Sequence, residues 1–325
     1  EIHERLVGSE MCIRDRVYGF FFSFIAVMFR AFYVSTTNTK ILTANSVVMV
    51  LTNVVLNYIL IFGKFGFPAL GIAGAAIASS ISEAVSVLFF VIYTWKKIDY
   101  KKYGLFRFTR VDFRMLGQIL SVSIWVMIQH GIAFGGWFIF FIAMEHLGER
   151  PLAITNVVRS ISSFLFMFVN AFASTNSSLV SNLIGAGESD RVLPLCRRMI
   201  GLCYAFVLPI GILIAMFPST VLRIYTDNPD LIASSIPSLW VMLSSYLFAV
   251  PGFIYFFSVS GTGNTRRALE IDMASIFVYV LYILYVAVWL RADVAVCWTT
   301  EYVYNIMILS SFFYLWKGNW RNKKI

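Results

Sequence analysis

The chain is poor in charge. Only 13% of its 325 residues are Asp, Glu, Lys or Arg, about half the share ordinary soluble domains carry. Its four cysteines are scattered: Cys12 near the start, Cys196 and Cys203 on one apolar segment, and Cys297 on the last. No spacing among them suits zinc or a redox pair, and within a membrane such thiols pack as small hydrophobes. No Gly-x-x-x-x-Gly-Lys-Ser/Thr loop is present, which argues against an ATP-driven engine. Neither His-Glu-x-x-His nor paired aspartates at a helix end occur, which argues against a membrane-embedded enzyme. What the chain has is apolar surface: 59% hydrophobic residues, with 31 Phe, 16 Tyr and 8 Trp, and a mean hydropathy of +0.78. A soluble core of this size cannot bury so much. The composition reads as an all-α polytopic membrane protein.

A spanning helix needs about 20 mostly apolar residues. From Val17 onward nine such segments are expected, over 17–33, 41–62, 70–95, 115–145, 152–184, 195–217, 232–259, 268–290 and 294–316. Turn chemistry separates them at Gly63–Pro68, Gly148–Pro151, Gly185–Glu188 and Asp227–Asp230. Residues 1–16 are charged and lack an apolar run, so they read as neither signal peptide nor anchor. The stretch Gly8–Arg16 resembles a translated sequencing-adaptor remnant, and 1–16 is expected to be a non-native segment. Alternate breaks hold eighteen Lys and Arg on one side and four on the other. The positive-inside bias therefore places the basic side, with the C-terminus, in the cytoplasm. The net charge of +9 is mostly this topology signal, and nothing resembles a nucleic-acid module.

A phrase occurs twice. Val34-Ser35-Thr36-Thr37-Asn38-Thr39-Lys40 and Val259-Ser260-Gly261-Thr262-Gly263-Asn264-Thr265-Arg266 each precede two apolar segments. Those segments end alike, in Tyr93-Thr94-Trp95-Lys96 and Tyr314-Leu315-Trp316-Lys317. So long a period is no solenoid. It points to two homologous bundles, the build of many secondary transporters. The copy in the second bundle follows four segments and the copy in the first follows one. Twelve helices in a 6+6 repeat are therefore expected, with three preceding the present start. The expected organisation is 17–95 as the remnant of the first lobe (helices 4–6), 96–114 as a cytoplasmic linker, and 115–325 as the second lobe (helices 7–12) with a basic cytoplasmic tail.

With these features, from Val17 to the end, the chain resembles the multidrug and toxic compound extrusion (MATE) transporters. The resembling residues are Asn38-Thr39-Lys40, Gly261-Thr262-Gly263-Asn264-Thr265, Asn53-Val54-Val55-Leu56-Asn57, Leu70–Ala78 and Ser181–Gly187. The resemblance implies an inverted-V pair of lobes, a central chamber, and export of amphipathic or cationic organic compounds driven by Na⁺ or H⁺. It implies no other cofactor, a monomer in a lipid bilayer, and a prokaryotic cytoplasmic membrane. A related fold, the lipid-linked oligosaccharide flippases, is the alternative. It would favour a strongly cationic cavity, and the predicted spans hold almost no basic residues.

Intramembrane polar groups mark candidate sites. Asn53 and Asn57 share one helix face at i,i+4. The resemblance places Asn53, Asn57 and Ser79 at a first-lobe ion site, with Asn57 where relatives carry Asp; interhelical hydrogen bonding is the other reading. Glu83 lies mid-helix as a proton-coupling group, a cation ligand, or a hydrogen-bond partner. Alignment of the Tyr-x-Trp-Lys ends sets Thr300 opposite Ser79 and Glu301 opposite Ser80, which makes Glu301 the second-lobe candidate. Gln129, His130, Asn156 and Arg159 are candidates for the chamber or for structural polar contacts. Arg159 either snorkels or pairs with Glu145, and His130 either packs or titrates near neutrality. The tenth-helix stretch Tyr246–Gly252 lacks the cation-binding Asp of some relatives. Pro209, Pro251 and Gly252 are hinge candidates. The phenylalanines at 138, 140, 141, 164, 166 and 168 read as bilayer and packing residues.

Overall fold

In a computed structural model, described for residues 2–36, 38–98, 112–318 and 320 and for side chains from Gly19 onward, every regular element among the described residues is helical. The chain forms two compact units, Glu1–Arg110 and Val111–Ile325. Most of the 96–114 linker and the basic residues after Trp320 fall outside the described residues.

Unit 1 holds three helices: α1 (Ile2–Ser35), α2 (Lys40–Phe62) and α3 (Gly71–Lys97). Residues 2–16 belong to the same continuous helix as the first apolar segment. Helix α3 packs against both others, while α1 and α2 scarcely touch. Two glycines set these approaches. A Cβ on Gly74 would sit 2.6 Å from the Leu60 carbonyl oxygen on α2, and one on Gly19 would sit 2.8 Å from a Glu83 carboxylate oxygen on α3. At one end Tyr33 and Phe90 are fully buried and stacked, with Phe29 stacked on the same Phe90 ring. Such pairs favour offset aromatic contact over random packing.

Unit 2 contains α4 (Phe113–Leu147), α5 (Glu149–Gly185), a 3₁₀ turn (Ser189–Arg191), α6 (Val192–Met216), the short α7 (Pro218–Leu222), α8 (Pro229–Gly261) and α9 (Thr265–Ile283). Helix α9 continues as a π-helical stretch over Leu284–Trp289. The last segment is α10 (Val294–Cys297), α11 (Thr300–Ile308) and α12 (Ser311–Lys317). Helix α8 is central, packed by α5, α6, α9, α11 and α12. Local chemistry fixes the ends. Asp112 accepts from the Arg114 and Met115 N–H groups, and Asn228 caps α8 with Pro229 at its first turn. Gly148, at φ +122°, joins α4 to α5 alone, so the expected break at 148–151 shrinks to one residue that only glycine accommodates without strain.

Among the described residues seven helices are long and apolar enough to cross a membrane, against the nine expected. The apolar part of α1, Gly19–Ser35, is a shorter helix. The ninth expected span, 294–316, is broken into three pieces. Thr299 and Thr300 hydroxyls bond back to the Val296 and Cys297 carbonyls, three residues earlier. These bonds compete with the α ladder, and the backbone tightens into i→i+3 bonds from Glu301 to Trp298 and from Phe312 to Leu309. Large apolar side chains face outward all round, among them Ile72, Phe134 and Trp289 at about three-quarters exposed. In water such a surface would be a liability; in lipid it is the solvent-facing side.

In unit 2 the repeated phrase is anchored to its matching end motif, and in unit 1 the residue just before the phrase bonds that motif. In unit 2 the Asn264 amide donates to the Tyr314 hydroxyl at 2.7 Å, and Asn264 Oδ1 caps α9 through the Arg267 N–H. In unit 1 the Tyr33 and Thr94 hydroxyls bond at 2.7 Å, beside the same phrase and end motif. Asn264→Ala is expected to cost about 1 kcal/mol of unit 2 stability, read as a lowered thermal midpoint in detergent. An unchanged midpoint would remove Asn264 from the anchoring contact.

Candidate functional site

In unit 1 a row of amides on α2 faces hydroxyls on α3. Asn45 and Ser86 are both fully buried and bonded at 2.8 Å. Two turns along α2, Asn53 donates to Ser79 at 3.4 Å, and Asn57 donates to Asn53 Oδ1 at 2.8 Å. The structure thus brings together Asn53, Asn57 and Ser79. Asn57 Oδ1 is buried and has no hydrogen-bond partner among the described residues. It is a free acceptor oxygen beside an amide oxygen and a hydroxyl, donors of the kind a hard cation takes. Glu83 lies one turn from Ser79 on α3, half-buried and turned toward Gly19 of α1. Asn45 is not among the expected residues, although the i,i+4 row 45, 49, 53, 57 contains it.

In unit 2 one polar centre joins an expected residue, Gln129, to one outside the expected set, Asp272. Asp272 on α9 is 2% exposed. The Tyr304 hydroxyl of α11 donates to its Oδ1 at 3.0 Å, and the Gln129 side chain of α4 also hydrogen-bonds it. Asp272 has no ion-pair partner among the described residues: the salt bridges there involve only Glu188 and Glu270. A buried carboxylate in a spanning helix without a cation beside it is expensive unless neutralised. Sequence reasoning misses it because Asp272 lies close to the charged start of its segment, where carboxylates are common. Its one legible signal is its place among apolar neighbours, Ile271 and Met273.

Glu301 on α11 is half-buried, within electrostatic reach of Tyr246, Tyr279 and Tyr304. The Tyr279 hydroxyl is buried without a partner among the described residues, and its ring lies 5.9 Å from that of Tyr304. Tyr246 is held from α5, donating to the Ser162 carbonyl at 2.7 Å.

The remaining candidates do not join these groups. His130 and Asn156 are exposed. Arg159 is exposed and lies over the Phe141 ring at 4.9 Å. The expected Arg159–Glu145 pair is therefore not formed: the aromatic face one turn before Glu145 takes the guanidinium instead. Helices α6 and α8 run on past Pro209 and Pro251. Pro251 cannot donate to the Leu247 carbonyl four residues back, and the Tyr204 hydroxyl of α6 occupies that carbonyl at 2.5 Å. A Cβ on Gly252 would sit 2.8 Å from Ile308 and 3.1 Å from the Asn305 carbonyl, so this glycine admits α11. Both neighbours of the proline are tied to other helices.

A family profile described as MatE matches residues 126–288, half of the chain. The chain belongs to the MatE family. A probable multidrug resistance protein NorM of Thermotoga maritima is 29% identical over 239 residues, 73% of this chain and 50% of that protein. One from Bacillus cereus is 30% identical over 205 residues, 59% of this chain and 42% of its own. The chain spans about half the length of the curated relatives it matches. Among solved structures, a MATE protein in complex with MaL6 superposes with TM-score 0.83 at 16% identity, over 95% of this chain and 69% of that one. A point mutant of the Vibrio cholerae MATE transporter VcmN gives 0.81 over 95% and 70% at 16% identity. These likenesses show the fold. MatE proteins are transporters rather than enzymes, and this one is a multi-pass membrane protein of that family.

Proposed function

We propose that the protein works as a Na⁺- or H⁺-coupled antiporter that exports amphipathic, often cationic, organic compounds by alternating access, with its basic loops and C-terminus in the cytoplasm. The relatives named as multidrug resistance proteins support the substrate class. The observation that carries the coupling is the pair of neutralisable polar centres inside otherwise apolar bundles. In unit 1, Asn53, Asn57 and Ser79 offer amide and hydroxyl oxygens with one acceptor left over, and Glu83 stands a turn away. In unit 2, Asp272 is poised by Tyr304 and Gln129, and Glu301 is ringed by tyrosines. A cation or proton on either carboxylate offsets a charge the bilayer disfavours. Loading therefore favours one helix arrangement over another only to the extent that the two bind it differently. Pro251 and Gly252 are the proposed pivots, since a proline-freed carbonyl can exchange partners.

Efflux of a fluorescent cationic dye from cells expressing the protein tests this reading, with the Na⁺ and H⁺ gradients collapsed separately. Collapse of one gradient is expected to stop efflux, and efflux indifferent to both would sink the antiporter. Asp272→Asn keeps the Tyr304 contact in shape and removes the charge. It is expected to lower efflux by about tenfold or more and to change its ion or pH profile. An unaltered profile excludes Asp272 from coupling.

A further inference from the structure

A groove of about 550 Å³ lies between the first half of α9 and the α11–α12 end of the last segment. Its two ends differ in chemistry. Asn264, Arg267, Glu270, Tyr314 and Lys317 line one end. Ile271, Ala274, Ser275, Met307, Ser310 and Phe313 line the rest. Along α9, Arg267 to Ala274 is seven residues, about 10 Å; along the last segment, Met307 to Lys317 is ten residues, about 15 Å. The groove therefore runs from a charged rim to a mostly apolar stretch with two serines, over a span comparable to a headgroup and the first part of its chains.

The rim is positive. Among the lining residues Glu270 offsets Arg267 at 2.5 Å; it also reaches Arg266 at 3.4 Å, which does not line the groove and lies over the Trp125 ring. Lys317 has no ion pair among the described residues and leaves the lining with one net positive charge. The start of α9 adds the positive end of a nineteen-residue helix. The Asn264–Tyr314 hydrogen bond holds the two walls together at this mouth. A zwitterionic headgroup brings no net charge to a rim with one net positive charge, whereas a phosphodiester with an uncharged alcohol brings one negative charge. Basic pockets between helices at the cytoplasmic level are built for that chemistry.

We propose that this groove binds one anionic glycerophospholipid, its phosphate at Arg267 and Lys317 and an acyl chain along Ala274, Met307 and Phe313. The assignment does not depend on what the protein transports. The test uses the full chain purified in detergent, with phosphatidylglycerol and phosphatidylcholine added separately, read by retained lipid in native mass spectrometry and by the thermal midpoint. Phosphatidylglycerol is expected to be retained and to raise the midpoint more than phosphatidylcholine. The double variant Arg267→Gln, Lys317→Gln is expected to lose about tenfold or more of that affinity. Ala274→Trp keeps the charges and fills the floor, and is expected to lose it as well; it also decides the matter if the double variant does not fold. Equal retention of the two lipids overturns the proposal, as does phosphatidylglycerol retention that survives Ala274→Trp. Competition by soluble glycerol phosphate as effective as by the lipid would make the groove an anion site and likewise overturn it.

Discussion

Replacing Gly261 by alanine is expected to lower the thermal midpoint of the detergent-solubilised protein, while Gly201→Ala leaves it unchanged or slightly raised. A Cβ on Gly261 would lie 2.6 Å from the Ser177 carbonyl oxygen and 3.1 Å from the Ser177 Cα. Backbone cannot swing aside as a side chain can, so α5 and α8 must separate. The Gly261 carbonyl also accepts the Ser181 hydroxyl at 2.7 Å, and that bond would stretch with the separation. Overpacking of this kind costs about 1–3 kcal/mol. It falls on the α5–α8 contact, and small residues at such crossings are what let membrane helices approach. Gly201 has nothing within 4 Å of a built Cβ, so alanine there only gains helix propensity, at most about 1 kcal/mol. The matched pair separates a close-approach glycine from an incidental one. A Gly261→Ala midpoint no lower than that of Gly201→Ala would show that the contact is not tight.

Trp298→Ala is expected to be among the most damaging single changes in unit 2, at about 3–5 kcal/mol. Trp298 is fully buried in the break between α10 and α11, edge-on to Phe140 at 5.5 Å. Phe140 in turn meets Tyr279, so the indole supports the wall next to the Tyr279–Tyr304 pair. Water exclusion contributes little between helices in lipid. The loss is instead the dispersion contacts of a large ring and the cavity left behind. The indole N–H has no partner among the described residues, so Trp298→Phe removes an unpaired donor along with some volume. It is expected to cost a minor part of the alanine penalty. Denaturation midpoints of the two variants check this; equal losses would mean the N–H is bonded after all.

How much of the site is legible in the sequence differs between the units. In unit 1 the spacing of Asn53 and Asn57 puts both on one face of α2, and a helical periodicity is enough to predict that they meet. The partner on α3 depends on where two antiparallel helices cross, which Gly74 against the Leu60 carbonyl sets. In unit 2, Gln129 stands out for its depth, yet its role depends on Asp272 and Tyr304, far away in the chain. No local pattern joins an amide on α4, a carboxylate on α9 and a hydroxyl on α11. Arg159 shows the opposite error. A nearby Glu145 makes an ion pair the natural expectation, but the guanidinium lies over the Phe141 ring.

Composition alone determined the solvent: with so little charge and so much aromatic surface, only a bilayer can receive this chain. Apolar run length and turn residues determined most helices, because a helix satisfies its backbone within itself and needs no distant partner. Only the tertiary structure decided that the last segment is three short helices, since threonine hydroxyls bonding back three residues leave hydropathy unchanged. It also decided that Tyr204 occupies the carbonyl freed by Pro251, and that Gln129 and Tyr304 meet at the buried Asp272. Each of these is a hydrogen bond or a close approach whose existence depends on backbone geometry and on where helices cross.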